Sequence, residues 1–205
     1  MLNVFPPTKE RMQDQAPISH TQDEAQDDAD LMHRIAGGDQ RAFQKLMHRH
    51  LARTVRLAVR ILGSTGAAED VAQEAFIRVW KHAIDWQDPG RAGAKFTTWL
   101  YRIVLNLCID EKRKNRFSNI DDIPEPVDEG PNAERGIEQQ EQSRRVRDAL
   151  GELPERQRAA FVLCFYEGHS NKEAADMLGI SVKAVESLLV RSRRELRDKL
   201  VEEKP

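Results

Sequence analysis

The chain has 205 residues, 40% of them apolar and 32% charged, with a formal net charge of −2; that is enough apolar material for one core of moderate size or two small ones. No apolar run approaches the roughly 20 residues that span a bilayer, and no basic segment followed by an apolar one opens the chain, so the expectation is a cytoplasmic protein without membrane insertion. Cys108 and Cys164 are too few for a disulfide framework and sit among apolar residues at helical spacing, which reads as packed thiols in a reducing compartment.

The mild average charge hides a strong segregation. Residues 1–30 carry seven acids against two bases and contain Pro6, Pro7 and Pro17, so residues 1–28 read as a disordered acidic tail. The pattern then becomes helical. Phe43, Met47, Leu51, Val55, Ala58 and Leu62 recur at spacings of four or three, with Asp39 placed as an N-cap and Gly63 as the stop. In GAAEDVAQEAFIRVWKHA, Ala72, Phe76, Val79, Trp80 and Ala83 fall on one face and Asp70, Gln73, Glu74 and Arg78 on another. DWQDPGRAGAK reads as a loop by its Pro and Gly content.

FTTWLYRIVLNLCIDEKRKNR predicts a third long helix with Phe96, Leu100, Ile103, Val104 and Leu107 inward. Along its other side run Trp99, Arg102, Asn106, Asp110 and Arg113. An aromatic ring, an amide and two guanidinium groups on one ridge suit single-stranded nucleic acid, whose bases stack on flat groups while cations follow the phosphates. A solvated face with a partly buried Trp99 fits the same pattern. Residues 102–116 hold five bases against two acids, whereas residues 118–143 hold eight acids against one base. That acidic stretch includes Pro124, Pro126 and Pro131 with little apolar periodicity, and marks a flexible linker over residues 117–140.

Beyond the linker, ALGELPERQRAAFVLCFYEG predicts a helix with Pro154 at its first position. SNKEAADMLGISVKAVESLLVRSRREL follows. Ser170 and Glu173 match a capping box, Ala174, Ala175 and Leu178 point inward, Gly179 supplies a left-handed turn and Ser181 caps the next helix. A short helix, a glycine turn and a longer helix make a helix-turn-helix. With Val182, Val185, Leu189 and Leu196 inward, Lys183, Glu186, Ser187, Val190, Arg191 and Arg194 remain on the open side, able to meet phosphates and base edges in a major groove. The alternative is a charged helix in a bundle. No strand pattern occurs, so the fold class is all-α, with two small helical domains joined by the acidic linker.

Taken in order, AAEDVAQEAFIRVW, FTTWLYRIVLNLCIDEKRK and ALGELPERQRAAFVLCFYEGHSNKEAADMLGISVKAVESLLVRSRREL resemble a bacterial RNA polymerase sigma factor of the extracytoplasmic-function type, over roughly residues 30–200. The resemblance implies a region-two domain over residues 29–116 and a region-four domain over residues 141–205. It implies that Asp70, Gln73, Glu74 and Arg78 dock on core RNA polymerase. It also implies that the Trp86–Lys95 loop with Trp99, Arg102, Asn106 and Arg113 melts and reads the minus-ten promoter element. Lys183, Glu186, Ser187, Arg191 and Arg194 would read the minus-thirty-five element. The implied partners are core polymerase, promoter DNA and an anti-sigma factor, with no cofactor. The recognition helix departs from many relatives in carrying Glu186 near a position that is commonly basic.

Two other classes compete. A free-standing helix-turn-helix regulator would dimerise through its first domain and bind two half-sites about one helical turn apart. An enzyme fits poorly, since the sequence has no G-x-x-x-x-G-K-[ST], G-x-S-x-G or H-E-x-x-H. His48 and His50, two residues apart, sit about 200° apart on a helix and cannot easily share one metal ion; they read as solvated or partly packed.

Overall fold

In the computed structural model, residues 20–86, 95–118 and 137–202 are described. Every regular element among them is helical: α1 (His20–Ala36), α2 (Gln40–Leu62), α3 (Thr65–Lys81), α4 (Phe96–Ser118), α5 (Ile137–Glu152), α6 (Glu155–Phe161), a π-helical turn (Val162–Tyr166), α7 (Asn171–Leu178) and α8 (Val182–Glu202).

Helices α1 to α4 form the first bundle. Asp39 accepts from the backbone N–H groups of Arg41 and Ala42 and opens α2; Gly63, at φ 77°, closes it. A left-handed residue there favours glycine. Ser64 caps α3, so α2 and α3 are joined by two residues and pack against each other. Leu31, Met32, Leu46, Leu57, Ile61, Val79, Leu100, Val104 and Leu105 fill the space between the helices. Each such side chain contributes about 1.5–3 kcal/mol relative to exposure.

The buried line of α2 differs from the expected one. It comprises Ala42, Leu46, His50, Thr54, Leu57, Ala58, Ile61 and Leu62, one position round the helix from the Phe43–Leu51 stripe; Leu51 is exposed. Two polar residues disguised that line. His50 is buried because its Nε2 lies 2.9 Å from a carboxylate oxygen of Asp28, whose other oxygen accepts from Arg49 at 2.5 Å. Asp28 is itself buried, and α1 begins at His20, so the boundary of the tail at residue 28 falls inside a packed helix. The anionic run of α1 includes a carboxylate that finds partners 21 and 22 residues away, which a net-charge argument cannot detect. Residues 1–19 lie outside the described residues.

Helices α5 to α8 form the second bundle. The acidic segment ends in α5, which the sequence reading did not separate as a helix; Ala149, Leu150 and Leu153 pack with Phe161 and Leu196. Pro154 is the N-cap of α6 rather than its first helical residue. The Ser170–Glu173 capping box forms in full, and Gly179 adopts φ 64°. Ser181 Oγ accepts from the N–H of Ala184 at 3.2 Å. Val185, Leu189 and Leu196 are buried, as is Ser192, which donates to the Leu188 carbonyl. Val182, the first residue of α8, is exposed. Met177 is buried where Leu178 was expected, and Leu178 is half-buried against the same core.

Candidate nucleic-acid interface

Three surfaces gather the charged and aromatic residues singled out above. On α3, Asp70 and Gln73 are exposed, and Glu74 and Arg78 are half-buried and paired with each other at 2.9 Å. Next to them are side chains the sequence reading missed or misplaced. Trp80, expected inward, is 38% exposed with its ring edge against Phe43; Ile77 and Ile84 are 37% and 76% exposed. Residues 70, 74, 77 and 81 follow one another along α3 at spacings of four and three, so the acidic face runs up to Ile77; Ile84 lies in the turn that follows the helix. The signal was present as Ile77 and Ile84, which no core residue of α3 needed.

On α4, Arg102, Asn106, Asp110 and Arg113 are exposed, whereas Trp99 is half-buried and packs against Phe96 at a ring-centroid distance of 6.1 Å. Part of the loop before α4 lies outside the described residues. On the inner side, burial pushes the Tyr101 hydroxyl up to about 12 and the Cys108 thiol up to about 12. Cys108 is therefore a packed protonated thiol; Cys164 is half-buried, its Sγ 3.8 Å from Asn171 Oδ1.

On α8, Lys183, Glu186, Ser187, Arg191 and Arg194 are all exposed on one side, and Val190, at 66% exposure, stands among them. Such an arrangement of cations, a hydroxyl and one aliphatic side chain on a projecting helix suits a major groove, where phosphates, base edges and thymine methyls are all within reach. The capping of α7 and α8 holds this helix in place. Glu173 is partly buried, which opposes ionisation, but the backbone N–H and hydroxyl of Ser170 bond its carboxylate and hold it below the usual carboxylate range.

The two bundles meet along a seam of mixed polarity. The Arg158 guanidinium, buried in α6, donates to the Ile61 carbonyl at the end of α2 at 2.6 Å, and to the carbonyls of Gly151 and Leu153. Arg102 donates through Nη2 and Nε to the Asp176 carbonyl at 2.5 and 3.2 Å. Glu167 accepts from Arg60 at 2.6 Å and from Arg53 at 3.4 Å. Tyr101 and His169 meet edge to face at 5.6 Å, and neither the Tyr101 hydroxyl nor His169 Nε2 has a hydrogen-bond partner among the described residues. None of these pairings follows from local sequence spacing.

Two family models match the chain: Sigma-70 region 2 over residues 46–118 and Sigma-70 region 4 over residues 143–196. The chain is 38% identical over 183 residues to the RNA polymerase sigma factor CnrH of Cupriavidus metallidurans, covering 83% of this chain and 93% of that one. It is 33% identical over 177 residues to the ECF RNA polymerase sigma factor SigW of Bacillus subtilis, with 81% and 92% covered. It is 38% identical over 172 residues to the ECF sigma factor SigE of Mycolicibacterium smegmatis, of which it spans 65%, with 80% of this chain covered. Among solved structures, that of CnrH in complex with the cytosolic domain of CnrY matches with a TM-score of 0.62 and 33% identity, over 87% of this chain and 99% of that one. The chain belongs to the sigma-70 family. Within it, the chain is an RNA polymerase sigma factor of the ECF group, a transcription-initiation specificity factor that binds core polymerase and recognises promoter DNA. A free-standing dimeric regulator is not what these matches support.

Proposed function

We propose that the three surfaces divide the work of promoter recognition. Asp70, Gln73, Glu74 and Arg78 dock on core polymerase, and Ile77 and Ile84 extend that contact with apolar area, which an exposed patch beside a charged face favours. Trp99, Arg102, Asn106 and Arg113 hold the minus-ten element as single strand. Holding a base out of the stack costs a few kcal/mol, which stacking and phosphate contacts offset. Lys183, Glu186, Ser187, Arg191 and Arg194 read the minus-thirty-five element as duplex; Glu186 accepts from a cytosine amino group or disfavours other bases. The observation that carries the reading is the pairing of an exposed, cap-positioned basic helix with a second ridge on a separate bundle, where exposed amide and guanidinium groups run beside the half-buried Trp99.

On this reading the protein initiates transcription through polymerase, carries out no catalysis of its own and works in the cytoplasm with the enzyme it serves. No described helix is long and apolar enough to cross a membrane. The likeness to CnrH, solved with the cytosolic domain of CnrY, supports a protein partner of anti-sigma type. In vitro transcription of a genomic DNA library, with purified protein and core polymerase together and separately, tests the proposal. Start sites that need both components support it; a duplex shift by the protein alone with no new starts refutes it.

A further inference from the structure

We infer that helix α1 braces the minus-ten site, and that Asp28 and His33 are the positioning residues that fix the two chain segments between which the promoter loop runs. The brace rests on contacts alone; its meaning for strand opening rests on the role given above to the Trp86–Lys95 loop and Trp99.

Three observations carry it. First, α1 is locked in register along α2. Leu31, Met32 and Ile35 are buried in the core of the first bundle, and polar bonds hold the helix at two further points. Asp28, one turn before Leu31 and Met32, accepts from Arg49 at 2.5 Å and lies 2.9 Å from His50 Nε2. Near the other end, Arg34 donates through Nε and Nη2 to the Asp39 carboxylate at 3.0 and 2.8 Å. Asp28 is only 2% exposed. A buried carboxylate that loses a partner is strongly disfavoured, so a helix that slid or turned along α2 would be penalised.

Second, α1 reaches both flanks of the loop. At the near flank, the ring of His33 meets that of Trp86 edge to face at 6.1 Å, and Trp86 packs partly buried against the core. At the far flank, the His50 ring bonded to Asp28 lies 5.2 Å from the ring of Phe96, the first residue of α4. Phe96 packs in turn on Trp99 at 6.1 Å. A line of contacts through Asp28, His50, Phe96 and Trp99 thus joins the acidic N-terminal helix to the ring on the minus-ten ridge.

Third, neither positioning residue is demanded by the apolar core. His33 is exposed, and Asp28 is a carboxylate among buried apolar side chains. What they add is geometry. A site whose groups are held before the ligand arrives has less ordering left to do on binding, and holding a base out of its stack leaves little binding energy to spare.

Hydrogen exchange on the full chain reads the brace. His33→Ala should raise exchange around Trp86, and Asp28→Asn around Phe96 and Trp99, each several-fold, while the buried stretch of α2 from Leu57 to Leu62 stays protected. His33→Phe keeps an aromatic edge and should return exchange toward wild type. If Asp28→Asn fails to fold by circular dichroism, His33→Ala decides alone, since its side chain is exposed. Unchanged exchange at both flanks would overturn the brace. On a promoter found by the transcription experiment, the two variants should slow permanganate-detected strand opening several-fold while binding core polymerase and the closed promoter as wild type does. Raised exchange with an unchanged opening rate would overturn the positioning role. If wild-type protein starts no transcription, the role of the loop falls, and exchange still decides the brace.

Discussion

The guanidinium of Arg158 reaches out of α6 to the carbonyl of Ile61, 97 residues earlier, at 2.6 Å. A helix C-terminus leaves its last carbonyls without partners, and a cation there satisfies one and opposes the negative end of the dipole. Arg158 does both for α2 while also binding Gly151 and Leu153 in its own bundle. Arg158→Met should therefore lower stability by about 2–3 kcal/mol, because buried carbonyls lose their donor. Thermal unfolding followed by circular dichroism checks this.

Asp70→Lys combined with Glu74→Lys should weaken binding to core polymerase and leave the melting temperature nearly unchanged. Asp70 is exposed, and the Glu74–Arg78 pair is a surface ion pair of i, i+4 spacing, the kind worth about 0.3–0.5 kcal/mol. Titration of labelled protein against core polymerase reads the loss.

Arg191→Ala should reduce binding to duplex carrying the minus-thirty-five element by about 1–3 kcal/mol. Its side chain is exposed on α8, so the fold should not change. Fluorescence anisotropy with holoenzyme gives the difference.

Trp99 and Asn106 separate two effects that a single substitution would mix. Trp99 packs on Phe96, so Trp99→Ala should impair strand opening more than closed-complex binding and also lower stability modestly. Asn106 is exposed; Asn106→Ala should slow opening with stability unchanged. Permanganate footprinting beside thermal melts distinguishes them. A first bundle that unfolds in Trp99→Ala would assign that ring to the core.

Burial in the seam holds His169 below its ordinary value of 6.5, with Glu173 and Glu167 pulling upward and Arg53 pushing downward. With the two bundles packed together the chain thus binds fewer protons at this site than with them apart. Its contribution to the packing of the two bundles is complete above about pH 6.5 and is lost as pH falls below that value. Small-angle scattering between pH 7.5 and 5.0, before most carboxylates titrate, should show the radius of gyration rising, and His169→Gln should flatten the response.

The elements were legible wherever their causes are local. Asp39, Gly63, Ser170, Glu173, Gly179 and Ser181 each act within four residues of themselves, so helix ends and the helix-turn-helix could be read directly. The exposed residues of α4 and α8 followed from periodicity for the same reason. What escaped depends on partners far along the chain. His50 is buried because of Asp28, and Arg102 is engaged because of Asp176. Trp80 reads as core by size and spacing, yet Phe43 supports only one edge of it. Helix α5 was hidden by an acidic composition shared with the segment before it.

The π-helical turn at Val162–Tyr166 places the N–H of Glu167 on the Val162 carbonyl at 3.0 Å, five residues back rather than four. Each residue of an α-helix advances about 100° around the axis, and the wide turn holds one more residue than an ordinary one. Removing a single residue from VLCFY would thus swing Glu167 round to a different side of the helix, away from Arg53 and Arg60. Whether a homologous chain keeps its halves folded together is then a question of length: a one-codon deletion in this turn would disconnect them without altering any charge.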